Sequence, residues 1–299
     1  MSADNRVGPY KYLTPEKVLN ALSLVHTGQV INLDLPQDNY ALAPTPQARP
    51  VLAHKQRMFN EVRPRSDGSY VVVNDDVIEF APQGSSHWDA LAHWGAIEPG
   101  DEAVFAGGRT YEETFPEFGA KTLGIDALSG GVVTRGVLLD LVGFMEDGAP
   151  YLSDEKQVNG EDIVACLEHQ GIQLHPGDAV LLYTGFHKRQ TDCGFMREVD
   201  GKSIGVAPGL SVDSLDVFLE AGVFALISDN PSVESNPMND GRFHTLALKH
   251  GGIYLGELWD LDGLREACRE DSRWEFLLMS SPMYVRGAFG SPANALAIR

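Results

Sequence analysis

The chain has 299 residues, 43% hydrophobic and 22% charged, with a formal net charge of −19. That length supports one large core or two modest ones, and the acidity argues against nucleic acid or an anionic membrane surface as a partner, since both would repel it. No apolar run approaches the ~20 residues of a membrane span, and Met1-Ser2-Ala3-Asp4-Asn5-Arg6 carries no apolar signal core, so a cytoplasmic, reducing setting is expected.

In chain order, Thr14-Pro15-Glu16 followed by Val18, Leu19, Leu22 and Val25 predicts a capped helix within an N-terminal arm over residues 1–28. Val30–Leu33 reads as a short strand, and Pro36, Pro44, Pro46 and Pro50 mark a long loop. Tyr70–Val73 and Val77–Phe80 flank Asn74-Asp75-Asp76 in the manner of a tight hairpin. Residues 97–131 have weak periodicity and read as an excursion.

Strands and helices then alternate. Strands are predicted over Val132–Leu141, Asp178–Tyr183, Val223–Ser228, Ile253–Glu257, Trp274–Met279 and Ala295–Ile298. Between them, Asn159 caps a helix closed by Gly171, and Ser211 caps a second that Gly222 ends. Further helices are predicted over Arg242–His250 and Leu261–Arg269. Cys166, Cys193 and Cys268 show no C-x-x-C spacing, which excludes a disulfide framework or a thiolate zinc site. The pattern predicts one α/β domain over 1–299 with a mixed, barrel-like sheet.

The densest chemistry lies in Gln83-Gly84-Ser85-Ser86-His87-Trp88-Asp89-Ala90-Leu91-Ala92-His93. Two imidazoles and a carboxylate in seven residues suit zinc or manganese, which take both donor types. If the segment is extended to Asp89, Gln83, His87 and Asp89 share one face. If it then turns helical, Asp89 and His93 sit four apart on one side.

Further ligands must come from elsewhere in the chain. His187 leaves the end of the strand Leu181-Leu182-Tyr183, where α/β proteins place pockets. His244 begins a helix, and Glu257 ends an apolar strand, where a carboxylate needs a cation or a metal. Gly201-Lys202-Ser203-Ile204-Gly205 matches G-x-S-x-G, but the preceding Arg197–Asp200 does not read as a strand and Pro208-Gly209 blocks a following helix. It therefore fails as a nucleophile elbow. Neither a P-loop nor G-x-G-x-x-G occurs, so a nucleotide cofactor has no support.

An ordered set of motifs resembles the cyclase family of metal-dependent hydrolases, which includes bacterial kynurenine formamidases, isatin hydrolases and a trans-dienelactone hydrolase. Gly84–His93 is similar to its G-T-H-x-D-x-P-x-H signature. Gly131–Asp140 resembles its central strand, and Leu181-Leu182-Tyr183-Thr184-Gly185 its L-x-R-T-G strand end. Pro208-Gly209-Leu210-Ser211 and Asp229-Asn230-Pro231-Ser232-Val233 resemble P-G-L-S and D-x-P-S-V. His244, Gly252–Leu258 and Gly290-Ser291-Pro292 resemble the closing ligand pair and G-S-P.

The resemblance implies a swivelling β/β/α fold and a metal site of His87, Asp89, His244 and Glu257, with His93 as the catalytic acid–base. Gln83 stands where the family usually has another histidine. A neutral amide oxygen is a weaker ligand than imidazole, which moves the expectation from Zn2+ towards Mn2+ and leaves one or two ions open. The implied activity is hydrolysis of an amide, lactone or cyclic imide of a small, ring-containing substrate by metal-activated water. Trp88, Trp94, Phe186 and His187 are expected to wall the substrate pocket, with loops 36–66 and 97–125 shaping it. A homodimer or homotetramer is expected. The alternatives are a metal-dependent lyase acting next to a carbonyl, or a non-catalytic small-molecule-binding relic.

Overall fold

The computed structural model describes residues 7–38, 49–97, 102–116, 118–154, 156–199, 202–237 and 241–299. Its frame is one nine-stranded mixed sheet that curls into a half-barrel. The strands used below are β1 (Val30–Asn32), β2 (Ala53–Pro64), β3 (Tyr70–Glu79), β4 (His87–Asp89), β5 (Val132–Asp140) and β6 (Ala179–Tyr183). They continue with β7 (Ala225–Ser228), β8 (Tyr254–Glu257), β9 (Glu275–Ser280), β10 (Gly290–Pro292) and β11 (Ala295–Ile298). The order across the sheet is β1-β11-β9-β5-β6-β7-β8-β4-β10.

The central four, β5 to β8, are parallel. Their side chains, such as Val180, Leu181, Leu226, Ile227 and Leu255, are wholly buried, as expected where both faces of a parallel sheet are covered. The flanking pairs are antiparallel. The mixed sheet predicted from the alternation is therefore present.

Helices pack around this frame. α1 (Pro15–Leu22) starts at Thr14, whose hydroxyl accepts the Lys17 N–H at 3.2 Å. It lies against β5, but Leu19 and Leu22 face outward at 66% and 48% exposure. α2 (Gly160–Gln170) has the predicted Asn159 cap, completed by Asp162 into a capping box, and ends at Gly171 with φ 68°. α3 (Phe186–Cys193), α4 (Leu215–Ala221) and α6 (Asp262–Asp271) complete the set with α5 (Arg242–His244), which continues as a π-helix over Thr245–Gly251.

Three local expectations are corrected. Asn74-Asp75-Asp76 is not a turn: β3 runs through it and pairs with β2, which lies within the 36–66 stretch expected as a loop. The turn lies at Arg65–Ser69, where Ser69 N–H and O–H both donate to Asp67 and Gly68 has φ 83°. Polar residues at 74–76 are tolerated because this two-stranded arm is exposed along most of its length. After Asp89 the chain makes a turn rather than a helix, with His93 N–H donating to the Ala90 carbonyl at 2.8 Å. Finally, Met196–Val199 is a strand, paired with Lys202–Gly205. The G-x-S-x-G stretch is thus the second arm of a hairpin, and a strand-to-helix elbow is still ruled out. No described helix is long and apolar enough to cross a membrane.

Candidate metal centre

The site forms where β4 meets β8. Their antiparallel register sets His87 opposite Glu257 and Asp89 opposite Leu255. Residues 170 positions apart thereby become cross-strand neighbours on one face. Alternation along β4 puts Asp89 beside His87 on that face, while Trp88 points the other way. Trp88 is wholly buried, packs edge-on against Trp259 at 4.9 Å between centroids, and donates its indole N–H to Ser280.

Donor atoms of His87, Asp89 and Glu257 lie within 4.8 Å of one another, and all three side chains are buried. The separations are 3.2 Å from His87 Nε2 to Glu257 Oε2 and 3.6 Å from His87 Nε2 to Asp89 Oδ1. Among the described residues, His87 Nε2 and Asp89 Oδ1 are buried without a hydrogen-bond partner. Orphaned atoms of this kind carry a desolvation cost, and one divalent ion between them would remove it. The donor set of imidazole and carboxylates fits such an ion. The other ring nitrogen of His87 lies 2.7 Å from the Ser85 carbonyl. That contact assigns the proton to Nδ1 and leaves Nε2 as the ligand atom.

Glu257 also reaches His244. Its Oε1 lies 3.0 Å from His244 Nε2, while His244 Nδ1 lies 2.5 Å from Glu234 Oε1. Burial opposes the charged form of both histidines. At His87 the nearby Glu257 and Asp89 carboxylates outweigh it and raise the pKa above the ordinary imidazole value. At His244 the balance goes further, and Glu234 with Glu257 push the ring to about 10. Burial would raise Glu257, but its two imidazole neighbours hold it well below the usual carboxylate range. In the metal-free protein a proton therefore occupies the position a cation would take. Glu234 was not anticipated from the sequence. Its only signal was an acidic residue directly after the Asp229–Val233 motif segment.

His93 stands on the open side of the cluster, with Nε2 3.7 Å from Asp89 Oδ1 and a side chain 23% exposed. It is the partly exposed imidazole beside the buried ligands, although no helix sets its spacing. Trp94 follows it and packs at a tilt of 46° against His244, 5.2 Å between centroids. Its indole N–H donates to Thr245 at 3.0 Å. Gly241 makes this possible: at φ 67° it admits the close approach, and a Cβ there would lie 2.4 Å from the Trp94 ring.

The remaining predicted residues are placed as follows. Gln83 lies in a short 3-10 turn before β4, and its carbonyl accepts from Arg49. Its amide packs over Gly290 so closely that a Cβ at Gly290 would come within 2.5 Å. Gly290 pairs with Asp89, and paired residues project to one face, so the Gln83 amide lies on the same side of the sheet as the Asp89 side chain. Phe186 is wholly buried in a small separate cluster with Phe195, Ala207 and Leu258. His187 is buried beside Asp260 and Asp262. The structure thus brings Trp94 to the centre and does not bring Trp88, Phe186 or His187 there. Parts of the two loops expected to shape the pocket, residues 39–48, 98–101 and 117, lie outside the described residues.

Asp229 explains two of the motif segments together. Its carboxylate accepts from the N–H groups of Thr184, Gly185 and Phe186 and from the Thr184 hydroxyl, at 2.7–3.1 Å. The end of β7 is thereby tied to the start of α3, which sets the rim of the sheet next to β8.

The nine-stranded half-barrel matches structures of the cyclase family. The Cyclase family model matches residues 24–235, and the chain belongs to that family. It is similar to a crystal structure described as a novel cyclase, at 26% identity over 99% of this chain and 95% of the other, with a TM-score of 0.83. It also resembles isatin hydrolase A from Labrenzia aggregata bound to benzyl benzoate, at 14% identity, 94% and 97% coverage and a TM-score of 0.65. A third likeness is to a potential metal-dependent hydrolase with cyclase activity, at 15% identity, 90% and 98% coverage and a TM-score of 0.53. No curated protein matches the chain.

Proposed function

We propose that this protein is a metal-dependent hydrolase that opens an amide, lactone or cyclic-imide bond in a small, ring-containing substrate. The observation that carries the reading is the convergence of three buried donors, His87, Asp89 and Glu257, with a half-open imidazole, His93, beside them. His244 would complete the ligand set through Nε2, held in that orientation by Glu234. A bound divalent ion, Mn2+ or Zn2+, would supply Lewis acidity towards a carbonyl oxygen and make water more acidic at neutral pH.

The protein's own groups do the rest. His93 accepts a proton from water at Nε2 and returns it to the departing nitrogen or oxygen. A positioned acid–base of this kind contributes roughly 10²–10⁴-fold. Trp94, packed at a tilt against His244, offers a flat apolar wall beside the reacting carbonyl. Support for the amide reading, as a cyclic amide, comes from the likeness to isatin hydrolases, one of which was solved with the product analogue thioisatinate.

The test is a screen of metal-loaded protein against cyclic amides and imides (isatin among the former), lactones and formanilides. Turnover of at least one of these that falls on His93→Ala while metal content holds supports the reading. Absence of turnover on all three classes with full metal loading contradicts it.

A further inference from the structure

A second group of ligand-type side chains lies off the end of β6 and β8, outside the centre described above. His187 at the start of α3, Asp260 after β8 and Asp262 at the first position of α6 each place one donor atom within 4.8 Å of the others. His187 is only 6% exposed, and its Nε2 is buried without a hydrogen-bond partner among the described residues. The cluster therefore brings two carboxylates to an imidazole with one ring nitrogen buried and unpartnered among those residues.

The surroundings hold both acids in place. The Tyr183 hydroxyl donates to Asp262 Oδ1 at 2.9 Å, and the Asp262 N–H donates to Asp260 Oδ1 at 3.3 Å. Asp260 is also fixed through its own N–H, which donates to the Leu33 carbonyl at 2.9 Å. Each carboxylate is thus anchored through one oxygen. Two like charges held together in a half-buried place repel each other, and burial, with Asp262 and Asp229 nearby, raises the Asp260 pKa. Arg265 lies over the Tyr183 ring and donates to Asp140. Solvent reaches Asp260 along an open groove that it lines with Asn32, Asp34, Pro36 and Asn294.

We propose that His187, Asp260 and Asp262 form a second divalent-cation site, separate from the centre at His87. One imidazole and two carboxylates are a mixed donor set suited to Mn2+ or Zn2+, and an ion there would satisfy His187 Nε2 and offset the paired acids. Such an ion would clamp α3 and α6 to the ends of β6 and β8, so its role is to brace the rim of the sheet. The proposal stands whether or not the protein is a hydrolase.

Equilibrium dialysis against Mn2+, followed by mass-spectrometric counting of bound ion per chain, tests it on four proteins. These are the wild type, His87→Ala, the near-isosteric pair Asp260→Asn with Asp262→Asn, and the combination. The expected result is that His87→Ala loses one ion and keeps one, the double Asn variant loses one and the combination binds none. In the His87→Ala background, Mn2+ should also raise the melting temperature, and the added Asn pair should abolish that rise. If the Asn pair does not fold, His187→Gln replaces it in the same comparison. Loss of all ions on His87→Ala, or unchanged binding in the Asn or Gln variants, would overturn the proposal.

Discussion

Glu234 holds His244 through Nδ1 at 2.5 Å, which leaves Nε2 of the same ring facing Glu257. A carboxylate behind a ligating histidine fixes its tautomer and raises its basicity. Glu234→Gln keeps the shape and removes the charge. We expect the His244 pKa to fall from about 10 and metal affinity to drop ~10–100-fold, the range for losing such a support. Metal titration of both proteins reads this directly, and equal affinities would remove Glu234 from the account.

The metal-free protein should have a pH-dependent stability with a defined sign. The carboxylate neighbours of His244 push its folded-state pKa up to about 10, from the ordinary imidazole value of 6.5. Its contribution is therefore fully present below 6.5 and lost as pH rises towards 10. Glu257 works in the opposite sense: its folded pKa is depressed below 4.5, so its contribution is present above 4.5 and lost on acidification. The melting temperature of the metal-stripped chain should accordingly decline from pH 7 to 10. A rise over that range would contradict the proton occupancy described here.

Because the same proton competes with metal, binding should release protons and tighten as pH increases. Calorimetry in two buffers of different ionisation enthalpy measures the number released. Our expectation is a positive release at neutral pH, reduced in Glu234→Gln. Identical heats in both buffers would count against His244 as a ligand.

His93 is partly exposed and touches the cluster only at 3.7 Å. His93→Gln should lower turnover by roughly 10²–10⁴-fold and leave metal content and melting temperature near wild type. Loss of metal in this variant would make His93 a ligand rather than an acid–base.

Gly241 supports Trp94 by having no side chain. Gly241→Ala places a Cβ 2.4 Å from the indole and puts alanine at φ 67°. The left-handed conformation alone costs ~1–2 kcal/mol. Denaturant unfolding should show at least that loss, and Trp94 should leave the face of His244, which a change in intrinsic fluorescence would report.

The sequence made the centre legible where local geometry was enough. Alternation alone put His87 and Asp89 on one face, and the strand end at Glu257 required a partner for its carboxylate. Pairing across the sheet was not readable, because the register that joins Glu257 to His87 depends on a crossover of many residues. Glu234 was missed for the same reason: it matters only through His244, which reaches it from a different element. The β2–β3 arm was misplaced because Asn74-Asp75-Asp76 has turn composition, while Asp67-Gly68, the actual turn, was passed over. Aromatic type also misled: Trp88 and Phe186 flank ligand-like residues in sequence, but each faces the core.

The central claim is that His87, Asp89 and Glu257 hold a divalent ion. Its most direct test is metal content by mass spectrometry on protein purified without chelators, wild type beside His87→Ala. We predict one equivalent of Mn2+ or Zn2+ fewer per chain in the variant. Equal metal content in the two proteins, or a wild type that takes up neither ion on incubation, would contradict it.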